Sequence, residues 1–133
     1  MSPLATLAFS RPALAAFGAM GVLWGTFAAV LPDLKAMLGV DEAQLGLLIV
    51  FTPIAAITAM LLAPAFGAAL GRAALPLAVF LMAVAFSLPG QASVIWLFPV
   101  AMACAGAATG LTDVLMNARV AAMETGRGIH LMN

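Results

Sequence analysis

Residues 73–112, AALPLAVFLMAVAFSLPGQASVIWLFPVAMACAGAATGLT, form a run of forty residues without a charged side chain. A helix needs about 20 apolar residues to cross the hydrocarbon core of a bilayer, so this run is too long for one span. Its middle contains LPGQAS at residues 88–93, a cluster of turn formers whose proline removes a backbone donor and ends a helix. The run therefore predicts two membrane helices joined by a short turn.

Two further charge-free segments precede this run, at residues 12–32 and 43–71, and both reach spanning length. Lipid requires every backbone polar group to be satisfied internally, which favours helices. We predict an all-α polytopic membrane protein that forms one membrane domain and ends in a cytoplasmic tail at residues 120–133. Its four transmembrane helices are predicted near residues 12–32, 44–70, 74–89 and 94–119.

The composition excludes an ordinary soluble domain, because 65% of the residues are hydrophobic and 8% are charged, against about 45–50% and about 25% in soluble domains. Five basic residues balance five acidic ones, which leaves no basic face for nucleic acid. The sequence shows no nucleophile–base pair, no cluster of metal ligands and no cofactor loop. We therefore expect no enzyme activity, no cofactor and no bound metal.

Basic residues predict the orientation, because loops retained in the cytoplasm carry more lysine and arginine. Lys35 falls on one side of the predicted membrane, together with the acidic residues Asp33, Asp41 and Glu42. The expected location is the inner (plasma) membrane, with both termini in the cytoplasm. The basic residues that fall on the cytoplasmic side are Arg11, Arg72, Arg119 and Arg127.

Local signals add detail to the second helix. Asp41 stands three residues before Gln44, which is the pattern of a capping box and predicts a helix start. Pro53 and Pro64 lie inside the same predicted helix, so we expect a kink or an early end there.

Small residues spaced four apart predict close packing of helix backbones in lipid. This spacing is common among membrane helices and by itself says little about function. The pairs are Gly21 and Gly25, Gly67 and Gly71, and Gly106 and Gly110.

A polar stripe on the fourth helix is the strongest functional signal. Thr109, Asp113 and Asn117 are spaced i, i+4 and i+8, which places them along one helix face. Polar residues inside a membrane are costly and often functional, and desolvation disfavours a charged carboxylate, so Asp113 is a candidate for reversible protonation. Alternatively, Asp113 forms a structural hydrogen bond or pairs with Arg119 near the inner boundary.

Trp24, slightly beyond the middle of the first predicted helix, has two interpretations. Its ring could stack on a sugar-like ligand, or it could fill space between helices, and packing is favoured because large aromatic side chains dominate cores.

The run GLTDVLMN at residues 110–117, followed by Glu124 and Gly126-Arg127, resembles a motif of the major facilitator superfamily. It is similar to the Gly-x-x-(Asp/Glu)-x-x-x-Asn run of the fucose-permease-like branch, which includes sugar-permease-like members. The segments LPDLK at 31–35, LGV at 38–40 and QLGLL at 44–48 resemble that branch's first loop and second-helix start. The resemblance extends over nearly all 133 residues.

The resemblance implies a secondary transporter that carries a small polar solute, such as a sugar, together with protons. Such transporters have about twelve helices in two halves, each built from inverted three-helix repeats. Four helices would be one repeat plus one helix, so we expect a fragment that needs the C-terminal helices of its parent or a partner chain. The expected partners are therefore the lipid bilayer, the solute, protons and those helices.

Departures from the family's pattern fall in its gating loop and on its first helix. Gly71 and Arg72 keep only the Gly-Arg of the gating loop, while Ala68 and Ala69 stand where the family has an acid–base pair. In fucose permease, the fourth-helix carboxylate, matched here by Asp113, works with another on the first helix. Here no charge lies between Arg11 and Asp33.

Two other hypotheses remain open. One is a four-helix exporter that works as a dimer, as small multidrug resistance proteins do, although their coupling glutamate lies on the first helix. The other is a membrane assembly subunit without transport activity that packs through its Gly-x-x-x-Gly faces. In that case Asp113 is dispensable, whereas bulky replacements at Gly106 or Gly110 disrupt assembly.

Overall fold

A computed structural model describes the backbone of residues 3–127 and the side chains of residues 10–126; over this range it is almost entirely helical and has no strand. Residues 128–133 of the predicted tail lie outside the described part, whereas residues 120–127 continue the last helix. Single 3₁₀ turns occur at Gly71–Ala73 and Pro89–Gln91. The α-helices are α1 (Pro3–Leu38), α2 (Glu42–Ile49), α3 (Phe51–Leu70), α4 (Ala74–Ser87) and α5 (Leu97–Arg127).

Three stretches of the described chain are long and apolar enough to cross a membrane, at Ser10–Leu38, Glu42–Gln91 and Leu97–Gly126. The all-helical, membrane-type class is therefore confirmed. The middle stretch contains both the second and the third predicted helices, which are divided at Gly71, where φ is +53°. The 14 residues of α4 extend about 21 Å at about 1.5 Å per residue, less than a hydrocarbon core of about 30 Å.

The first helix is longer than predicted, with 36 residues, and it continues through both Pro12 and Pro32. It ends at Gly39, whose φ of +66° lies in the left-handed region that glycine adopts without steric cost. The Val40 amide donates to the carbonyl of Lys35 at 3.4 Å, and the Gly39 amide donates to the carbonyl of Ala36 at 3.2 Å. These two bonds form a Schellman cap, which satisfies carbonyls that the end of the helix would otherwise leave free.

The predicted capping box is confirmed at the start of α2. The Gln44 amide donates to Asp41 Oδ1 at 2.8 Å, and the Asp41 amide donates to Gln44 Oε1 at 3.1 Å. An ion pair between Lys35 and Glu42 also links the end of α1 to the first turn of α2. Backbone and side-chain contacts therefore stabilise the connection between the two helices.

Gly39→Ala is expected to destabilise the protein by about 1–2 kcal/mol, because an L-residue in the left-handed conformation incurs this cost. The matched control is Gly46→Ala, since Gly46 lies in α2 with no neighbour within 4 Å of an added Cβ. That change should stabilise the helix by up to about 1 kcal/mol. The two variants should shift the midpoint of a denaturant titration, followed by circular dichroism in detergent, in opposite directions. Equal shifts of the two midpoints would show that Gly39 is not needed to end α1.

The second predicted helix is interrupted shortly before its first proline, Pro53. Pro53 has no amide hydrogen for the carbonyl of Ile49, and its ring crowds that carbonyl. The α-helical assignment is accordingly interrupted at Val50, between α2 and α3, although Val50 keeps right-handed helical angles (φ −58°, ψ −24°). The helix continues through Pro64, so only one of the two expected interruptions occurs.

The last helix, α5, lies at the centre of the packing. Half of the most apolar 18-residue segment of this helix is buried, against 11% of the corresponding segments in the other two spanning stretches. Thr52 and Ala56 of α3 meet Gly106 and Gly110 of α5 in the same chain order, so these helices run parallel. In contrast, α4 runs antiparallel to α5, because Leu75 clusters with Met116, and Ala85 clusters with Ala105.

The hydrophobic clusters show which connections between helices lie at the same end of the bundle. At one end, Val40 after α1 and Ala92 before α5 belong to one cluster with Phe98. At the other end, Ala13 near the start of α1 packs with Leu75 and Met116. The charged α1–α2 connection and the α4–α5 connection therefore lie at one end, and the α3–α4 turn lies at the other.

Candidate functional site

The predicted polar stripe lies along α5 as its spacing required. The side chains of Thr109 and Asp113 are partly buried, and that of Asn117 is exposed. Asn117 Nδ2 donates to Asp113 Oδ1 at 3.4 Å, a long hydrogen bond. The Thr109 hydroxyl donates to the backbone carbonyl of Ala105 at 2.8 Å, within its own helix. Only Asp113 and Asn117 therefore bond side chain to side chain.

The stripe lies between two packed sides of α5. On one side, Gly106 and Gly110 contact α3. On the other side, Met102 and Met116 belong to clusters that include residues of α1. With 3.6 residues per turn, Asp113 falls on the arc between these sides. In the described residues α1 and α3 barely contact each other, and the Asp113 side chain on this arc is only partly buried.

The depth of Asp113 follows from the helix rise. It lies roughly 24 Å along α5 from Leu97 and roughly 9 Å before Arg119, at about 1.5 Å per residue. The ion pair found among the described residues joins Lys35 to Glu42, so no pair between Asp113 and Arg119 is formed there. Asp113 has an amide neighbour instead, and a carboxylate beside an amide can accept hydrogen bonds from hydroxyl groups.

Trp24 packs away from the stripe. Its ring meets Phe86 at a centroid distance of 5.1 Å and Phe27 at 5.8 Å, both edge to face. This group packs against the cluster that contains Met102, which is roughly 16 Å from Asp113 along α5. The structure therefore places Trp24 in helix packing and does not bring it together with Asp113.

The two residues of the predicted gating loop form a tight turn between α3 and α4. Gly71 adopts a positive φ of +53°, and Arg72 follows it in the 3₁₀ turn with an exposed side chain. Arg72 lines a groove that Arg119 of α5 also lines. The turn thus brings Arg72 of the predicted gating loop to the same groove as Arg119, which the sequence offered as a partner for Asp113.

The three glycine pairs have different surroundings. Gly106 and Gly110 lie where α5 touches the backbone of α3, and a Cβ on Gly67 would lie 3.0 Å from the side chain of Leu115. Gly21 and Gly25 are exposed on α1 and have no atom within 4 Å of an added Cβ.

Sequence reasoning missed Thr52, which lies at the α3–α5 contact. Its side chain is buried, and its hydroxyl is the one buried side-chain oxygen that lacks a hydrogen-bond partner in the described part of the chain. The sequence signal was weak, since a single threonine before Pro53 in an apolar helix is not distinctive.

Comparison with known proteins finds no match for this chain among protein-family models, curated proteins or solved structures.

Proposed function

We propose that these residues form part of a secondary transporter of the major facilitator type that moves a small polar solute, such as a sugar, coupled to protons. The observation that carries the proposal is the partly buried carboxylate of Asp113, which lies inside a membrane-type helix beside the amide of Asn117. Intramembrane carboxylates are costly and commonly serve proton relays or substrate sites. The stripe also offers hydroxyl and amide groups that can bond to sugar hydroxyls.

The proposal includes four membrane spans: α1, α2 with α3, α4 with its 3₁₀ extension, and α5. The antiparallel course of α4 along α5 supports it, as does the placement of successive connections at opposite ends of the bundle. A short span can be accommodated by local thinning of the bilayer. By the distribution of arginines, the end that contains Arg72 is proposed to be cytoplasmic, in the inner membrane.

Labelling of single cysteines tests the span count. In a Cys104→Ala background, Ser93→Cys and Ala73→Cys place one thiol at each end of α4, and both positions are exposed. Four spans predict that a membrane-impermeant maleimide labels position 93 in intact cells, and position 73 only after permeabilisation. If both positions react from the same side, α4 does not cross the membrane.

Further helices, from the same polypeptide or from a partner chain, are part of the proposal. The exposed side of α1 supports this, because Phe17 and Val22 are 65% and 68% exposed and lie near the unpacked Gly21 and Gly25 in the sequence. An apolar face with small residues is the kind that helices use to pack in membranes.

Solute-driven proton movement tests the function. The complete protein that carries these residues is expressed, and the external pH of cells or vesicles is followed as neutral monosaccharides are added one at a time. We expect at least one sugar to cause alkalinisation as protons enter with it. Proton flux only with lipophilic cations would favour the multidrug exporter, and no flux with either class would favour the assembly subunit.

A further inference from the structure

A groove at the arginine end of the bundle lies between α1 and α4. Its volume is about 540 Å³, which is within the size range of ligand pockets. The walls are apolar, with Ala15 and Ala16 from α1 and Leu75 and Val79 from α4. This groove is separate from the polar stripe, because neither Asp113 nor Asn117 lines it.

Two arginines line the same groove. Arg72 comes from the turn before α4 and is exposed, whereas Arg119 comes from α5 and is partly buried. Among the described residues, neither guanidinium forms an ion pair with a carboxylate. An apolar slot lined by two such arginines suits a ligand that has an anionic head and an apolar body.

We propose that this groove binds one anionic phospholipid, with its phosphate on Arg72 and Arg119 and an acyl chain along the alanine and leucine walls. Basic sites between membrane helices on the cytoplasmic side are suited to anionic headgroups. Arginine matches phosphate geometry because its planar fork donates parallel hydrogen bonds. A soluble anion would satisfy the charges but would leave the apolar walls without a partner. The inference rests on the proposed cytoplasmic orientation of this end of the bundle but not on the proposed transport activity.

Lipid titration followed by native mass spectrometry tests the site. The purified protein is titrated with phosphatidylglycerol and, separately, with phosphatidylcholine that has the same acyl chains. We expect the first phosphatidylglycerol to bind more tightly, and each of Arg72→Gln and Arg119→Gln to weaken it about fivefold. The matched control is Arg11→Gln. Arg11 is exposed and precedes the groove residue Pro12, but it does not line the groove itself. The effect of this change should be less than twofold.

Two further measurements separate the lipid from other sources of anion. Ala15→Phe should fill the groove without changing charge and should weaken phosphatidylglycerol binding, since Ala15 is exposed and tolerates a larger side chain. Millimolar inorganic phosphate should not displace the lipid. Displacement by phosphate would instead indicate a soluble anion site. Equal effects of Arg11→Gln and Arg72→Gln, or unchanged binding in an Arg72→Gln/Arg119→Gln variant, would overturn the proposal.

Discussion

Gly106→Ala is expected to destabilise this protein more than any other single methyl addition. A Cβ built on Gly106 would lie 2.1 Å from the backbone oxygen of Thr52 and 2.8 Å from its carbonyl carbon. These atoms belong to backbone and not to a flexible side chain, so α3 and α5 must separate. Overpacking typically costs 1–3 kcal/mol, and we expect about 3 kcal/mol. Gly110→Ala should act similarly, because its Cβ would lie 2.3 Å from the oxygen of Ala56.

Gly21→Ala is the matched control for this prediction. It adds the same methyl group to a glycine in a membrane-type helix, but no atom lies within 4 Å of the new carbon. The variants are compared by the midpoint of denaturation in detergent, followed by circular dichroism. Gly106→Ala should unfold at lower denaturant, and Gly21→Ala should match or exceed the unchanged protein. Equal midpoints for the two variants would mean that α3 does not lie against α5.

This contrast shows what residue spacing alone could not determine. The glycine pairs on α1 and α5 have the same spacing, and so the sequence predicted close packing for both. Spacing places residues on one helix face, but it does not determine which neighbour that face meets. In the structure, the pair at Gly106 and Gly110 contacts α3, whereas Gly21 and Gly25 face outward.

Local chemistry was predicted well. The capping box at Asp41, the turn near residues 88–93 and an interruption at Pro53 depend on residues within a few positions of one another. Helix lengths were predicted less well, because hydropathy marks where a chain leaves lipid and not where it stops being helical. Thus α5 continues eight residues beyond position 119 to Arg127, through alanine, methionine and glutamate, which favour helix.

The two functional signals also differ in how they could be found. The stripe at Thr109, Asp113 and Asn117 followed from the helical period alone. The groove formed by Arg72 and Arg119 depends on a turn and a helix that are 47 positions apart in the chain. No local sequence pattern predicts that these two arginines line the same groove, because that depends on the antiparallel packing of α4 on α5.

Under the proposed proton-coupled transport, Asp113→Asn is expected to abolish accumulation of solute driven by a proton gradient. Asparagine has nearly the same shape as aspartate and can still bond to Asn117, but it does not gain or lose a proton near neutral pH. Proton-transfer groups typically contribute a factor of 10² or more, so we expect gradient-driven uptake to fall by about a hundredfold. The measurement is uptake of a transported sugar by the complete protein in membrane vesicles, with an imposed pH gradient.

Asp33→Asn is the control, because it makes the same chemical change at an exposed carboxylate near the opposite end of the bundle. It should leave uptake within about twofold of the unchanged protein, since exposed surface charges contribute little. Exchange of labelled for unlabelled sugar distinguishes coupling from folding, because exchange requires no net proton movement. Asp113→Asn should retain exchange and lose accumulation. Equal loss of exchange, accumulation and membrane protein level would assign Asp113 to structure, and an unchanged pH-driven uptake would remove it from the proton pathway.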